Sequence, residues 1–333
     1  MATITAAAGG GNWSATGTWV GGVVPTAADD VVLASTSGNV TVDTTSACRS
    51  LDCQASGNYA GTLSHASGIG LTIGDATAGA GGRIVRMSSA MTYTPNSGSF
   101  TLITSSATQQ TITSAGKSFA FFTLSNGGNY LLADALTVAS TLTVYAVLVF
   151  DTGNQAITCG SFSSSNSFGR TLTLGSSTIT CTGTGTTPFV VSTTTGLTIT
   201  ANTATIVLSG SGAQFSVGNS FNMNGASVSF TGSGITAMSS CTVANLSIVG
   251  TASKNDGMFI TGNITVTGTL TLAGNSATNR FFLYGNATGT PRTITAAAVS
   301  LSNADFADIT GAGAASWTGT SLGDCGGNTG ITF

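Results

Sequence analysis

The chain has 333 residues, a formal net charge of −3 and only 6% charged residues, against about 25% in a typical globular protein. Hydrophobic residues make up 41% of it, glycine contributes 46 positions and proline only four. This composition excludes disorder, which goes with few hydrophobic residues and high net charge or abundant proline, and it leaves no cluster of Lys and Arg with which to hold nucleic acid.

No apolar stretch reaches the 18 residues that a membrane-spanning helix needs, so no membrane insertion is expected. The opening residues lack the basic and apolar regions of a signal peptide, so export by that route is not expected either. All eight cations are two Lys and six Arg, and all eleven acidic residues are Asp. The surface is therefore expected to be built from Ser, Thr and Asn rather than from charge.

Residues 1–45 read as an entry region with the first short strands. Trp13 and Trp19 are two of three tryptophans, and large aromatics near a chain end suit a cap over an exposed core. Pro25 and the Asp29–Asp30 pair supply turn chemistry, with carboxylates able to accept from nearby backbone amides. Strands are expected over Asp30–Ser35 and Asn39–Asp43.

Residues 46–300 read as the body. Short apolar alternations recur at roughly 10- to 15-residue spacing, cut by Gly, Asn, Ser and Thr, which is the signature of half-buried strands. In Asp134–Gly183, Leu136 and Val138, Leu142 and Val144, Leu172 and Leu174, and Ile179 and Cys181 each alternate with small or polar neighbours. The sequence at Ile157 is echoed at Ile179, placing Cys159 and Cys181 22 residues apart, and the sequence at Leu136 is echoed at Ile264. Recurrence at about 20 to 25 residues predicts a β-solenoid, in which each coil covers the apolar face of the next. Such a stack also escapes the size limit of a single compact core.

Period-two alternation over Ser118–Asn126 puts Phe119 and Phe121 on one face and Phe122 on the other, and makes Phe122 the expected subunit contact. Residues 301–333 are less regular, contain Trp317, and are expected to form a C-terminal cap. No linker divides the chain, so one continuous all-β domain is expected.

Candidate chemistry is sparse. Asp29 with Asp30 and Asp305 with Asp308 are the close carboxylate pairs, but residues one or three apart in a strand point to opposite faces, so neither pair suits the two-carboxylate hydrolysis of glycosides. Arg83 and Arg86 have no acidic cluster in sequence reach. His65, the sole histidine, reads as a packing or surface residue at a strand end. No Cys-x-x-Cys and no nearby His marks Cys48, Cys53, Cys159, Cys181, Cys241 or Cys325 as a zinc ligand, and most are expected as buried thiols, with a Cys159–Cys181 bridge as the alternative. The Asn-x-Ser/Thr matches at Asn12, Asn245, Asn263 and Asn286 are expected by chance in so Ser/Thr-rich a chain. No catalytic, cofactor or metal residue is assigned.

Trp13-Ser14, Thr18-Trp19, Gly22, Pro25, Asp29-Asp30-Val31-Val32 and Val40-Thr41-Val42 together resemble the start of the glycine-eight domain of extracellular hyaluronan-handling and polycystin-related proteins. The same opening is common in bacteriophage structural proteins. The coils around Leu172–Gly183 and the phrase Leu322–Phe333 are similar to those of phage and environmental-virus proteins, whose chains often continue past this phrase. The resemblance implies a single right-handed parallel β-helix and a non-enzymatic virion protein: a head decoration or fibre protein, or a tail-fibre component. It implies partners among capsid or tail proteins, a homotrimer, assembly in the host cytoplasm, exposure on the particle and release by lysis.

Two other functions are carried beside it. A surface adhesin would hold host glycans on a Ser/Thr/Asn face with aromatic platforms. A glycan-cleaving spike would bring three or more Asp, Arg or Lys side chains into one groove.

Overall fold

The computed structural model describes residues 2–77, 79–146, 148–185, 187–313 and 316–333. The protein is all-β and is a parallel β-solenoid. It divides into two compact units. The first comprises residues 1–159, 168–173 and 196–198, and the second comprises residues 160–167, 174–195 and 199–333.

In the first unit, one sheet runs in the order Thr3–Thr5, Asp30–Val32, Ser50–Asp52, Arg83–Arg86, Gln110–Thr113, Asn129–Leu132, Leu148–Asp151 and Arg170–Thr173. A second face stacks Gly11–Asn12, Val40–Val42, Thr62–His65 and Thr92–Thr94. A third stacks Ser46–Cys48, Leu71–Ile73, Ser99–Leu102, Phe121–Leu124 and the second half of Leu136–Val144. All these pairings are parallel, which requires that the chain travel once round the coil between neighbours.

The register places like on like. Val31, Leu51 and Val85 form one inward column, and Leu71, Phe100, Phe122 and Leu142 form another. All are buried, and each such side chain contributes roughly 1.5–3 kcal/mol relative to exposure. Outward positions carry the hydroxyls: Thr41 and Ser64 on adjacent coils meet oxygen to oxygen at 3.0 Å.

The second unit repeats this logic. Cys181 begins a column that continues through Leu208, Phe230, Ile248, Leu272 and Leu301. The thiol therefore acts as a small apolar filler. A neighbouring column carries Phe162, Phe189, Phe215, Met238 and Ile260. The long strands Ile264–Ala273 and Arg292–Ala307 bend through a corner, so that Ile264–Ala273 pairs with both Cys241–Val243 and Leu246–Val249.

The echo between Leu136 and Ile264 holds in structure: both strands begin with the same succession of buried, exposed and half-buried positions. Coil length is less uniform than the echoes suggest. Paired strand positions lie as few as 17 residues apart, at Arg292 and Ile309, and as many as 34, at Asp52 and Arg86.

One expectation is corrected. Phe122 is fully buried, with Phe119 against it at 4.9 Å between ring centroids, whereas Phe121 is 40% exposed. The cause is a corner at Ala120, which separates Ser118–Phe119 from Phe121–Leu124. Phe119 pairs with Val138 and Phe122 with Leu142, so the neighbouring coil spends one more residue over the same bend. The alternation restarts after the corner, and Phe121 takes the outward place expected for Phe122.

Candidate functional site

The expected cap residues are placed as follows. Trp13 and Trp19 are buried and meet edge to face at 4.8 Å, and the Trp19 indole donates to the Trp13 carbonyl oxygen at 2.8 Å. Pro25 is buried beside Trp13. Trp317 is buried, donates from Nε1 to Ala312 O at 3.0 Å, and packs on Gly311, where a Cβ would collide with the indole at 2.5 Å. All three tryptophans are buried, so none presents a ring face to solvent.

The close carboxylate pairs diverge. Asp29 accepts from Ala2 N, Thr26 N and Thr26 Oγ1, and the Thr26 hydroxyl holds its carboxyl below the usual range. Asp30 turns away and bonds Arg49 and Ser50 of the next coil. Asp305 is gripped by Arg280 through both carboxylate oxygens, at 2.7–3.0 Å, while Asp308 accepts from Gly289 N at 3.0 Å. With Asp52–Arg86 at 2.6 Å, these three ion pairs among the described residues each join one coil to its neighbour. These pairs lie up to 34 residues apart and were not legible without the coil lengths.

His65 is a packing residue. It is 1% exposed, lies between Tyr93 and Phe100 at 5.8 and 5.5 Å, and its Nδ1 bonds Ile69 O at 2.8 Å. Burial lowers its pKa. Its Nε2 and the Tyr93 hydroxyl are buried without a hydrogen-bond partner among the described residues. Five of the six cysteines are buried thiols and Cys325 is exposed; no disulfide joins them. Burial pushes the Cys48 and Cys53 thiols well up, and that of Cys241 to about 12. Among the described residues no three His, Cys or Asp side chains stand together as a metal site.

Three surface grooves gather the remaining chemistry. In the second unit, a groove of about 590 Å³ is lined by Lys254, Asp256, Arg280 and Asp305, with Ile235 and Phe282 as apolar walls. Four charged side chains in one groove is notable in a chain with 6% charge, and it meets the condition set above for a glycan-cleaving spike. Both carboxylates are nevertheless occupied. Asp256 is 3% exposed and accepts from Gly234 N, Thr251 N and Thr251 Oγ1, closing the turn between them. Asp305 is held by Arg280, whose remaining donors go to Ser321 and to Ala304 O. These bonds tie Asp256 to its turn and Asp305 to the Arg280 guanidinium.

In the first unit, two adjoining grooves share Gly127. One, of about 450 Å³, is walled by Tyr145 and Phe168, each 47% exposed, whose rings meet edge to face at 5.9 Å. The other, of about 500 Å³, runs over the outward column Asn129, Val149 and Thr171. The sequence reading anticipated aromatic platforms without locating them. The available signal was an aromatic ring inside a stretch of turn residues, as at Phe168 in Ser163–Gly169, where alternation gives it no inward place.

Comparison with protein-family models, with curated proteins and with solved structures finds no match to this chain.

Proposed function

We propose that this chain is a non-enzymatic structural and attachment protein of a bacteriophage virion, a head decoration or fibre protein or a tail-fibre component. The observation that carries the non-enzymatic part is the commitment of its carboxylates: Asp29, Asp30, Asp52, Asp256 and Asp305 all serve to fasten turns or neighbouring coils. The viral part rests on the resemblance at residues 13–42 and in the coil phrases. In this reading the coil is right-handed, as parallel crossovers are in general. The tryptophans close its ends, and three copies associate. Stacked ladders with an uncharged Ser/Thr surface make a body that resists unfolding and proteolysis, which is what a particle appendage needs. Quantitative mass spectrometry of purified particles tests this: a fixed, multi-copy ratio to the major capsid protein supports it, and absence from the particles overturns it.

Adhesion to host glycan is a second reading, favoured by the exposed Tyr145–Phe168 pair. The glycan-cleaving alternative is tested at the Lys254–Asp256–Arg280–Asp305 groove.

A further inference from the structure

The adjoining grooves of the first unit place two exposed aromatic rings beside hydroxyls and amides. Tyr145 and Phe168 sit at the same corner of successive coils, just before the strands Leu148–Asp151 and Arg170–Thr173. Ala146, next to Tyr145, has φ 75°, and the preceding coil turns the same corner through Asn126 and Gly127 at φ 62° and 63°. A left-handed alanine is uncommon and lacks the tolerance of glycine or asparagine. Such corners turn the chain sharply and leave the rings outside the coil. On the neighbouring coil Arg170, 3% exposed, donates from Nη1 to Phe168 O at 3.1 Å and fixes the backbone that carries that ring. The backbone under the Phe168 ring is thus tied to its own coil.

Beside the rings lie Ser105, Ser125 and Asn126, and beyond Gly127 the wall continues through Asn129 and Thr171. The Asn129 Oδ1 is buried and accepts no hydrogen bond among the described residues. An acceptor left in that condition is satisfied by a ligand hydroxyl that reaches it. Among the described residues the wall contains no carboxylate, and its one cation, Arg170, is buried and donates to a carbonyl. What it offers to solvent is ring face, hydroxyl and amide.

We propose that this groove is a binding site for a neutral glycan, with Tyr145 and Phe168 as the platform on which sugar rings stack and the Ser, Asn and Thr side chains as partners for the hydroxyls. Sugars are apolar on their C–H faces and polar at their rims, and this groove presents the complementary pattern in a concave site. Consecutive coils are spaced by about 4.8 Å, so rings on neighbouring coils offer successive subsites to a chain running across the coils. The inference rests on the attachment reading above and names its ligand class.

The test is calorimetric titration of the full chain with hexamers of β-1,4-linked glucose, α-1,4-linked glucose and β-1,4-linked N-acetylglucosamine, with a uronic-acid hexamer as the anionic arm. The expected result is binding of at least one neutral hexamer at about 1 mM or tighter, weakened about tenfold or more by Tyr145→Ala and by Phe168→Ala. Tyr145→Phe is expected to retain it. Phe121→Ala, which removes an exposed ring elsewhere in the unit, is expected to leave it unchanged. No binding of any neutral hexamer, binding of the uronate alone, or binding indifferent to both groove substitutions overturns the proposal. Multi-copy presence in particles without glycan binding removes this site and leaves the structural role standing; glycan binding by a protein absent from particles does the reverse.

Discussion

Phe189 lies face to face with Phe215 on the next coil, ring centroids 5.0 Å apart and planes within 8° of parallel, and Phe162 continues the stack on the other side at 5.1 Å. Each ring in this column has its neighbours above and below fixed by the strand register. Truncating the middle one should therefore be felt by two coils. Phe189→Ala is expected to cost about 3–5 kcal/mol, with Phe189→Leu well below that. Because each coil is held by its neighbours alone, the alanine variant should also broaden or split the denaturant transition, read by circular dichroism.

The Asp30–Arg49 pair is the most buried of the three ion pairs, with side chains 7% and 10% exposed. Removing one partner strands a charge away from water. Arg49→Met is expected to destabilise by roughly 3 kcal/mol, and the double variant Asp30→Asn/Arg49→Met to recover a substantial part of that loss. Thermal melting of the parent and the two variants checks it. Arg292, whose guanidinium makes an exposed contact with Asn286, should tolerate the same change within about 0.5 kcal/mol.

His65 makes stability depend on pH in a direction that the burial fixes. Its pKa in the folded chain is lowered, so the fold favours the neutral ring. The unfolded chain, with an imidazole pKa near about 6.5, takes up a proton first as pH falls. Its contribution is therefore fully present above about pH 6.5 and is lost on acidification below that value. Melting temperature should be flat from about pH 8 to 7 and decline from about pH 6.5 downward. In His65→Gln the decline between about pH 6.5 and 5 should disappear, since the carboxylates remain ionised there.

The thiols should divide five to one. Cys325 is exposed, whereas Cys48, Cys53, Cys159, Cys181 and Cys241 are buried. A thiol reagent is expected to label one cysteine per native chain and all six after denaturation, with Cys325→Ser abolishing the native reaction. Burial and the nearby Asp305 and Asp324 raise the Cys325 pKa, so the native reaction should quicken as pH rises above neutral.

The architecture was largely legible because its cause is local. Period-two alternation at Leu136–Val144 and its echo at Ile264 state which residues point inward, and the structure repeats that pattern in both strands. The inside place of Cys181 follows from the same alternation. What escaped was set by corners and by coil length. The Ala120 bend resets the phase and exchanges Phe121 for Phe122, with only one small residue in sequence to mark it. Partners such as Asp52 and Arg86, or Arg280 and Asp305, meet because intervening turns have particular lengths, and nothing local encodes those. The Tyr145–Phe168 platform belongs to the same class, since it exists only once two coils are laid one on the other.

The most direct measurement is incubation of the purified chain with neutral polysaccharides, following retention of the protein and release of soluble fragments in the same sample. The account predicts retention that depends on Tyr145 and Phe168, with no fragment release above buffer. Release of fragments that is abolished by Asp305→Asn or Asp256→Asn, in variants that melt like the parent, would contradict it and make the second unit's charged groove an active site.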